Sequence, residues 1–254
     1  MLESYIRLRR EQKELLLMTH IVLGYPNFDD SLRVVEAMIE AGVDLMELQI
    51  PFSEPMADGP VILKANSDAL AQGARVEKSF EMAERIVARF DIPFLFMTYY
   101  NIVFRNGVDD FVARMAGIGI RGSIIPDLPP EEGGDYLAAM ARHELAPVHI
   151  FTPNSSDERL RLLSGKSAGF VYAVARKGVT GKTTAFSDEL GEYLTRCRAA
   201  TGLPIALGFG VKTADDIGFI RGKADIAVVG SETIRVLDRD GVDGVGPFIR
   251  ALQC

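Results

Sequence analysis

Eight short apolar runs, spread along the whole chain, constrain its fold more than any other feature. They are rich in valine, isoleucine, leucine and phenylalanine, and they occupy residues 15–23, 45–50, 93–99, 122–126, 147–151, 169–174, 204–208 and 225–230. Between them lie amphipathic stretches with helical spacing, such as the one that carries Leu32, Val35 and Met38. Runs that are apolar on both faces are typical of parallel strands that are covered by helices.

The alternation of eight strands with helices predicts a closed (β/α)8 barrel, since this is the unit count of that α/β fold. We therefore expect one domain over residues 1–254, a TIM barrel with an N-terminal helix and extra short helices. An open doubly wound sheet is the alternative, and it would need a glycine-rich fingerprint after its first strand. The segment Leu-Gly-Tyr-Pro at 23–26 does not supply one.

Charge and cysteine content exclude several classes of function. The formal net charge of -7 argues against an electrostatic hold on nucleic acid or on an anionic membrane, because both require a basic surface. The two cysteines, Cys197 and Cys254, stand far apart and indicate neither a disulfide framework nor a metal site. The first residues are highly charged, unlike a signal peptide, and no apolar run approaches the length of a membrane span. We expect a cytoplasmic protein without nucleic-acid or membrane partners.

Two carboxylates stand at and after the end of the second strand. Glu47 interrupts an apolar run between Met46 and Leu48, where a carboxylate is costly to desolvate unless something pairs or uses it. Asp58 follows in a proline-rich loop, and barrels collect their functional residues on the loops after the strands. We interpret Glu47 and Asp58 as an acid/base pair. The alternatives are a buried structural ion pair for Glu47 and a turn role for Asp58.

Glycines follow the sixth, seventh and eighth strands, and they predict a phosphate site. Glycine lets backbone N–H groups approach an anion closely, and TIM barrels often bind phosphate at these loops. The residues after Ser231 are expected to open a short helix whose amino end adds partial positive charge. The alternative is that these glycines are only turn residues.

Motifs along nearly the whole chain resemble those of one known family, the α subunit of tryptophan synthase. The segment at 47–60, Glu-Leu-Gln-Ile-Pro-Phe-Ser-Glu-Pro-Met-Ala-Asp-Gly-Pro, differs from the family pattern at two positions. Also similar are Leu-Gly-x-Pro at 23–26, Met-Thr-Tyr-Tyr-Asn at 97–101, Pro-Asp-Leu-Pro at 126–129, the loop at 176–181, Gly-Phe-Gly at 208–210 and Gly-Ser at 230–231.

The resemblance implies a lyase that cleaves indole-3-glycerol phosphate to indole and glyceraldehyde 3-phosphate by a retro-aldol reaction. It implies no cofactor in this chain, and a β subunit that carries pyridoxal phosphate and consumes the indole within an α2β2 heterotetramer. By position, Glu47 matches the general acid/base, Asp58 the partner of the indole nitrogen, and Tyr172 an active-site tyrosine. The implied substrate-binding residues are His20, Met97, Tyr99, Ile124, Ile150, Thr180, Gly181, Gly208, Gly210, Gly230 and Ser231, and residues 176–185 match a loop that closes over the substrate.

The chain departs from the family pattern at four positions. His20 stands where an aromatic residue is usual, and we expect it to keep a stacking role beside the indole with added polarity. Tyr25 and Glu54 each replace an aspartate, and Gln49 replaces a glycine beside the catalytic strand. Our hypothesis is that Gln49 and Glu54, with Pro55, select a variant β subunit.

Three other functions stay open at the level of sequence. A non-catalytic regulatory subunit is disfavoured by the intact Glu47 and Asp58. A stand-alone lyase is disfavoured weakly by the partner-facing prolines Pro51 and Pro55. A different phosphate-binding barrel enzyme, such as an isomerase or epimerase, would leave the Pro-Phe-Ser-Glu-Pro segment without an explanation.

Overall fold

The structure is a computed structural model that describes residues 1–175, 188–208 and 210–253. Within these ranges, nine strands form one sheet, and each overlaps one of the predicted apolar runs. The strands are β1 (Leu16–Val22), β2 (Leu45–Gln49), β3 (Phe94–Met97), β4 (Gly122–Ile124), β5 (Ala146–Val148), β6 (Ile150–Phe151), β7 (Val171–Val174), β8 (Ile205–Gly208) and β9 (Ile226–Val229).

The sheet closes into a barrel. Its strand order is β5-β4-β3-β2-β1-β9-β8-β7-β6, and every pair of neighbours is parallel. The two ends of this order, β5 and β6, are consecutive pieces of the chain that only His149 separates. They are two halves of the fifth predicted strand, so the predicted (β/α)8 barrel is confirmed.

Helices surround the barrel, and some have clear signals for where they begin. The side chains of Asn27, Ser156 and Thr213 accept hydrogen bonds from backbone N–H groups of the first turns that follow them. The predicted N-terminal helix and short extra helices are present. In the described ranges the helices are α1 (Leu2–Gln12), α2 (Phe28–Glu40), α3 (Pro60–Ala71), α4 (Val76–Arg89), α5 (Tyr100–Arg105), α6 (Val108–Gly117), α7 (Gly134–Arg142), α8 (Asp157–Lys166), α9 (Asp188–Ala200), α10 (Ala214–Ile220), α11 (Ser231–Asp240) and α12 (Val242–Leu252).

The α1 helix closes the amino-terminal end of the barrel. Leu2 and Ile6 join the apolar cluster inside the barrel. The fully buried carboxylate of Asp44 accepts hydrogen bonds from Arg9 at 2.8 Å and from Lys13 at 2.9 Å, which hold the helix in place. Any ligand must therefore enter from the opposite end, where the strands finish. In the described ranges, no helix is long and apolar enough to span a membrane.

Side chains alternate between the two faces of each strand, and this alternation sorts the core. Leu17 and Ile21 pack outward against helices, whereas Leu16 and Met18 point into the barrel. The same period on β2 directs Leu45 inward. Glu47 and Gln49, two and four positions after Leu45, therefore also point into the barrel, near its open end.

Candidate active site

Three buried polar side chains occupy inward positions at the carboxyl ends of β1 and β2. His20 continues the inward series of Leu16 and Met18, and Glu47 and Gln49 continue the series of Leu45. Their exposed fractions are 4% for His20, 3% for Glu47 and 0% for Gln49. The interior of the barrel is therefore apolar at the level of Leu16, Met18 and Leu45 and polar at the carboxyl ends of the strands, where His20, Glu47 and Gln49 lie. We call this polar end the barrel mouth.

His20 and Glu47 form a buried hydrogen-bonded pair. The register of β1 and β2 places them side by side, and Nδ1 of His20 lies 3.0 Å from Oε2 of Glu47. Burial lowers the pKa of His20, but the hydrogen bond and charge of Glu47 and the charge of Asp58 raise it by more, so its pKa lies above the ordinary value. The second ring nitrogen of His20, Nε2, and the second carboxyl oxygen of Glu47, Oε1, are also buried. Neither has a hydrogen-bond partner among the described residues.

Asp58 is held by two side chains, one on β2 and one in the segment between β3 and α5. The side-chain amide of Gln49 donates to its Oδ2 at 2.7 Å, and the hydroxyl of Tyr99 donates to the same oxygen at 3.1 Å. Burial raises the pKa of Asp58 above its ordinary value, although the Gln49 hydrogen bond, the His20 charge and the Tyr99 hydrogen bond each lower it. Tyr99 also accepts a hydrogen bond from the backbone N–H of Ala57 at 3.1 Å, which fixes the loop that carries Asp58.

Tyr172 reaches the same mouth from β7. Burial raises the pKa of its hydroxyl well above the ordinary value, and the negative charges of Glu47 and Asp58 raise it further. The hydroxyl therefore keeps its proton and is available as a hydrogen-bond donor. Its ring packs on Gly208, where an added Cβ would lie 2.6 Å from Cε1 of the tyrosine.

Apolar side chains lie beside the polar residues on the inner face of the barrel. Met97 and Ile124 are buried inside the barrel, and Ile150 packs against the same cluster. The ring of Tyr99 stacks on Phe52 with 5.2 Å between the centroids. The mouth therefore offers an apolar wall of the kind that binds a flat aromatic ring.

Two of the glycines that were predicted to approach a phosphate lie at this mouth, Gly208 against Tyr172 and Gly230 beside His20. Gly230 precedes α11, and a Cβ there would lie 3.9 Å from Cβ of His20, so the amino end of the helix borders the acid pair. Ser231 is the first residue of α11, which confirms the predicted helix, and Gly210 follows β8 with a φ of +79°. Thr180 and Gly181, with the predicted closing loop at 176–185, lie outside the described residues.

Two contacts were not foreseen from the sequence. The first is the hydrogen bond of His20 to Glu47, where we expected a stacking role, and the second is the bond of Gln49 to Asp58. Tyr25, another departure, lies away from this network and donates its hydroxyl to Asp238 on α11. A period of two along the strands indicates that His20 and Gln49 point inward, but partners within hydrogen-bonding distance depend on strand register and loop shape.

Known proteins resemble this chain along nearly its whole length. The family model described as "Tryptophan synthase alpha chain" matches residues 6–244. A tryptophan synthase alpha chain from Desulforapulum autotrophicum is 66% identical over 252 residues, covering 99% of this chain and 100% of the relative. This chain belongs to the tryptophan synthase alpha chain family. A relative of the same description from Syntrophotalea carbinolica is 61% identical over 253 residues, covering 100% of both chains.

The fold comparison points the same way. A structure of tryptophan synthase from Mycobacterium tuberculosis has a TM-score of 0.92 at 33% identity and covers 99% of this chain and 96% of its own. The expected TIM barrel and the expected lyase of tryptophan biosynthesis are confirmed. As a tryptophan synthase alpha chain, the protein cleaves indole-3-glycerol phosphate to indole and glyceraldehyde 3-phosphate, and the indole passes to the β subunit.

Proposed function

We propose that the cleavage takes place at the barrel mouth, with Glu47 as the general acid and base. One observation carries this proposal: Oε2 of Glu47 is held by His20, while Oε1 is buried and unpaired within the described chain. A buried carboxylate oxygen without a donor is costly, so a site that keeps one is prepared for a substrate group.

The reaction requires two proton transfers that one carboxyl group can perform. Glu47 gives a proton to C3 of the indole, which turns the ring into an electron sink. It then takes the proton of the neighbouring glycerol hydroxyl as the carbon–carbon bond breaks and the bonding electrons return to the ring. The carboxyl group ends as it began, and the products are indole and an aldehyde.

Asp58, Tyr99 and Tyr172 complete the proposed polar site. Asp58 faces the indole N–H and stabilises the positive charge that develops on the protonated ring. Tyr99 holds Asp58 through Oδ2. Tyr172 keeps its proton beside Glu47, because burial and the two carboxylates raise the pKa of its hydroxyl. The apolar wall of Met97, Ile124 and Ile150 binds the indole ring.

The phosphate is proposed to bind at the amino end of α11. Ser231 and the residues after it present backbone N–H groups and the positive end of a ten-residue helix. Gly230 leaves this end free of a side chain next to His20. Gly208, Gly210, Thr180 and Gly181 are the further phosphate and loop contacts that the family pattern implies.

The proposed partner is a tryptophan synthase β subunit in an α2β2 heterotetramer. This proposal is supported by the similarity of the chain to a solved structure described as a tryptophan synthase complex from Pyrococcus furiosus, with a TM-score of 0.86 at 26% identity. Two large apolar side chains, Met56 and Phe104, are 73% and 66% exposed on the segments that follow β2 and β3. They lie on the open side of the barrel, and Met56 is two residues after Glu54 in the same loop. We propose that this face docks the β subunit, which supplies the pyridoxal phosphate, while this chain uses no cofactor and works in the cytoplasm.

One assay tests substrate and partnership together. Indole formation from indole-3-glycerol phosphate should be measured with the purified chain, alone and with the β subunit of the same genome. We expect release of indole by the chain alone and faster release with the β subunit. A Met56→Ser, Phe104→Ser double variant should lose the activation and keep the basal rate. No indole in either condition would contradict the proposal.

A further inference from the structure

His20 and Gln49 transfer no proton and contact no substrate in the mechanism above, yet each of them binds one of the two acids. Nδ1 of His20 lies 3.0 Å from Oε2 of Glu47, and Nε2 of Gln49 lies 2.7 Å from Oδ2 of Asp58. All four side chains are buried, with at most 8% exposed. Burial of the polar side chains of His20 and Gln49 costs free energy of hydration, and their hydrogen bonds to Glu47 and Asp58 offset this cost.

The two contacts belong to a single group of side chains. The register pairs His20 with Glu47 and Val22 with Gln49, so Gln49 stands two positions further along the same inward face. Nε2 of His20 and Oε1 of Gln49 are the remaining polar atoms between the pairs, and both are buried without a partner in the part of the chain that the structure describes. The amide of Gln49 and the charge of Asp58 also contribute to the raised pKa of His20.

We propose that His20 and Gln49 are positioning residues of the α reaction, which fix the two acids and join them in the order Glu47, His20, Gln49, Asp58. This inference rests on the proposed function of Glu47 and Asp58. His20 restrains one oxygen of Glu47, so that the other oxygen faces the substrate. Gln49 restrains Asp58 through Oδ2, and its side chain also raises the pKa of His20.

The pairing also gives His20 a role in the proton balance. An imidazolium beside a carboxylate holds one proton that the pair can share across a 3.0 Å hydrogen bond. The Nδ1 proton of His20 first moves to Glu47, and the carboxyl group then gives this proton to C3 of the indole, which leaves a neutral imidazole beside a carboxylate. Glu47 takes the proton that leaves the glycerol hydroxyl as the carbon–carbon bond breaks and shares it again with His20, so the pair ends the cycle with one proton.

The groups that face His20 set the pH dependence of this pair. In the described part of the chain they are Glu47 on β2, Asp58 in the loop after β2, and the neutral amide of Gln49. Tyr172 on β7 faces Glu47 and keeps its proton, and Gly230 ahead of α11 contributes no side-chain charge. Both carboxylates favour the protonated imidazole, so the shared proton is lost only as the pH rises above the ordinary pKa of histidine.

The test compares kcat and KM across pH for the parent protein and for His20→Phe, His20→Asn, Gln49→Met and the His20→Phe, Gln49→Met double variant. Phenylalanine and methionine preserve approximate volume and remove the polar atoms. Asparagine restores a side-chain N–H donor but does not titrate in the pH range of the assay. His143→Asn, on an exposed histidine at the end of α7, is the matched control.

We expect His20→Phe to lower kcat roughly tenfold to a hundredfold, with KM changed less than about threefold, because a hydrogen bond to a charged group is lost. It should also remove the fall of kcat on the alkaline side that the parent shows. His20→Asn should recover most of kcat without that alkaline fall, and His143→Asn should match the parent. A parent-like kcat and pH profile in His20→Phe would overturn the role of His20.

The double variant tests whether the acids are joined. We expect its loss of kcat to be smaller than the product of the two single losses, because residues in one network are not additive. Losses that multiply would overturn the link between the acids. Circular dichroism and thermal unfolding identify a variant that has failed to fold, in which case His20→Asn decides through its pH profile. If the parent itself releases no indole, the proposed function fails, and this inference, which rests on it, fails with it.

Discussion

Tyr99 donates its hydroxyl to Oδ2 of Asp58 over 3.1 Å while it accepts a hydrogen bond from the backbone N–H of Ala57 over the same distance. One fully buried tyrosine therefore ties the segment after β3 to the loop after β2. The position of Asp58 depends on this bridge as much as on the loop itself.

Removal of this hydroxyl should loosen the loop and misplace Asp58. We predict that Tyr99→Phe lowers the free energy of unfolding by about 1–3 kcal/mol, because a buried N–H and a buried carboxylate each lose a partner. It should also lower kcat for indole formation. Urea unfolding and the indole assay measure both. Tyr100→Phe, at the next position, is the control, and equal effects of the two substitutions would refute the role of the bridge.

Gly208 is required by the ring of Tyr172. An added Cβ would lie 2.6 Å from Cε1 and 3.0 Å from the hydroxyl oxygen of that tyrosine, so Gly208→Ala must displace the ring. We predict a loss of about 1–3 kcal/mol in unfolding free energy and a loss of kcat of roughly tenfold or more. Gly165→Ala on α8, where an added Cβ meets nothing within 4 Å, should keep activity and gain up to about 1 kcal/mol. Parent-like kinetics in Gly208→Ala would contradict the packing argument.

His149, between β5 and β6, should make the protein less stable in acid. The hydroxyl of Ser167 donates to the carbonyl of Leu163, so it accepts from Nδ1 of His149 at 3.1 Å. Burial and then the charge of Arg159 lower the pKa of His149 to about 4, although Glu131 opposes this. Between a pH of about 6.5 and about 4 the unfolded chain therefore binds a proton that the folded chain refuses, which costs up to about 3 kcal/mol of stability.

The measurement is urea unfolding at several pH values between 7.5 and 5, for the parent and for His149→Asn. Asparagine keeps a donor for Ser167 but does not titrate. We expect a flatter acid side for this variant, and a slope that equals that of the parent would show that His149 is not the group responsible.

His20 should have the opposite effect on the alkaline side. Its pKa in the folded protein is raised by Glu47 and Asp58 against the effect of burial. The stability that it contributes is therefore complete below its unfolded pKa of about 6.5, and it is lost as the pH rises through the folded pKa. Unfolding curves from pH 6 to 9 should show this decline in the parent and a smaller one in His20→Phe. Parallel declines would mean that His20 is not protonated in the folded protein.

The barrel was predictable because its strands are buried on both faces, which leaves apolar runs such as 45–50 and 204–208 visible in the sequence. The break of the fifth strand at His149 was not visible, since the apolar run 147–151 is interrupted only by that residue. A polar residue divides such a run when the segments on its two sides pair with different strands. Here β5 pairs with β4 and β6 pairs with β7, and this pairing depends on how the barrel closes.

The sequence indicates which side chains gather at the barrel mouth better than it indicates their contacts. Glu47 was conspicuous because a carboxylate in an apolar run requires a reason, and Asp58 because of the motif around it. The pairings His20 with Glu47 and Gln49 with Asp58 follow from a register between β1 and β2 and from a loop path, neither of which appears in a one-dimensional pattern. The structure thus gives the two departures His20 and Gln49 a physical explanation.

The most direct test of the account is the turnover of Glu47→Gln. The amide keeps the size of the side chain and cannot carry the proton back and forth, so we predict a loss of indole formation of at least roughly a hundredfold. Calorimetry should show substrate binding within a few-fold of the parent, and Glu40→Gln, on an exposed glutamate at the end of α2, should behave as the parent does. A Glu47→Gln protein that retained most of its turnover would contradict the central claim that this carboxyl group moves both protons.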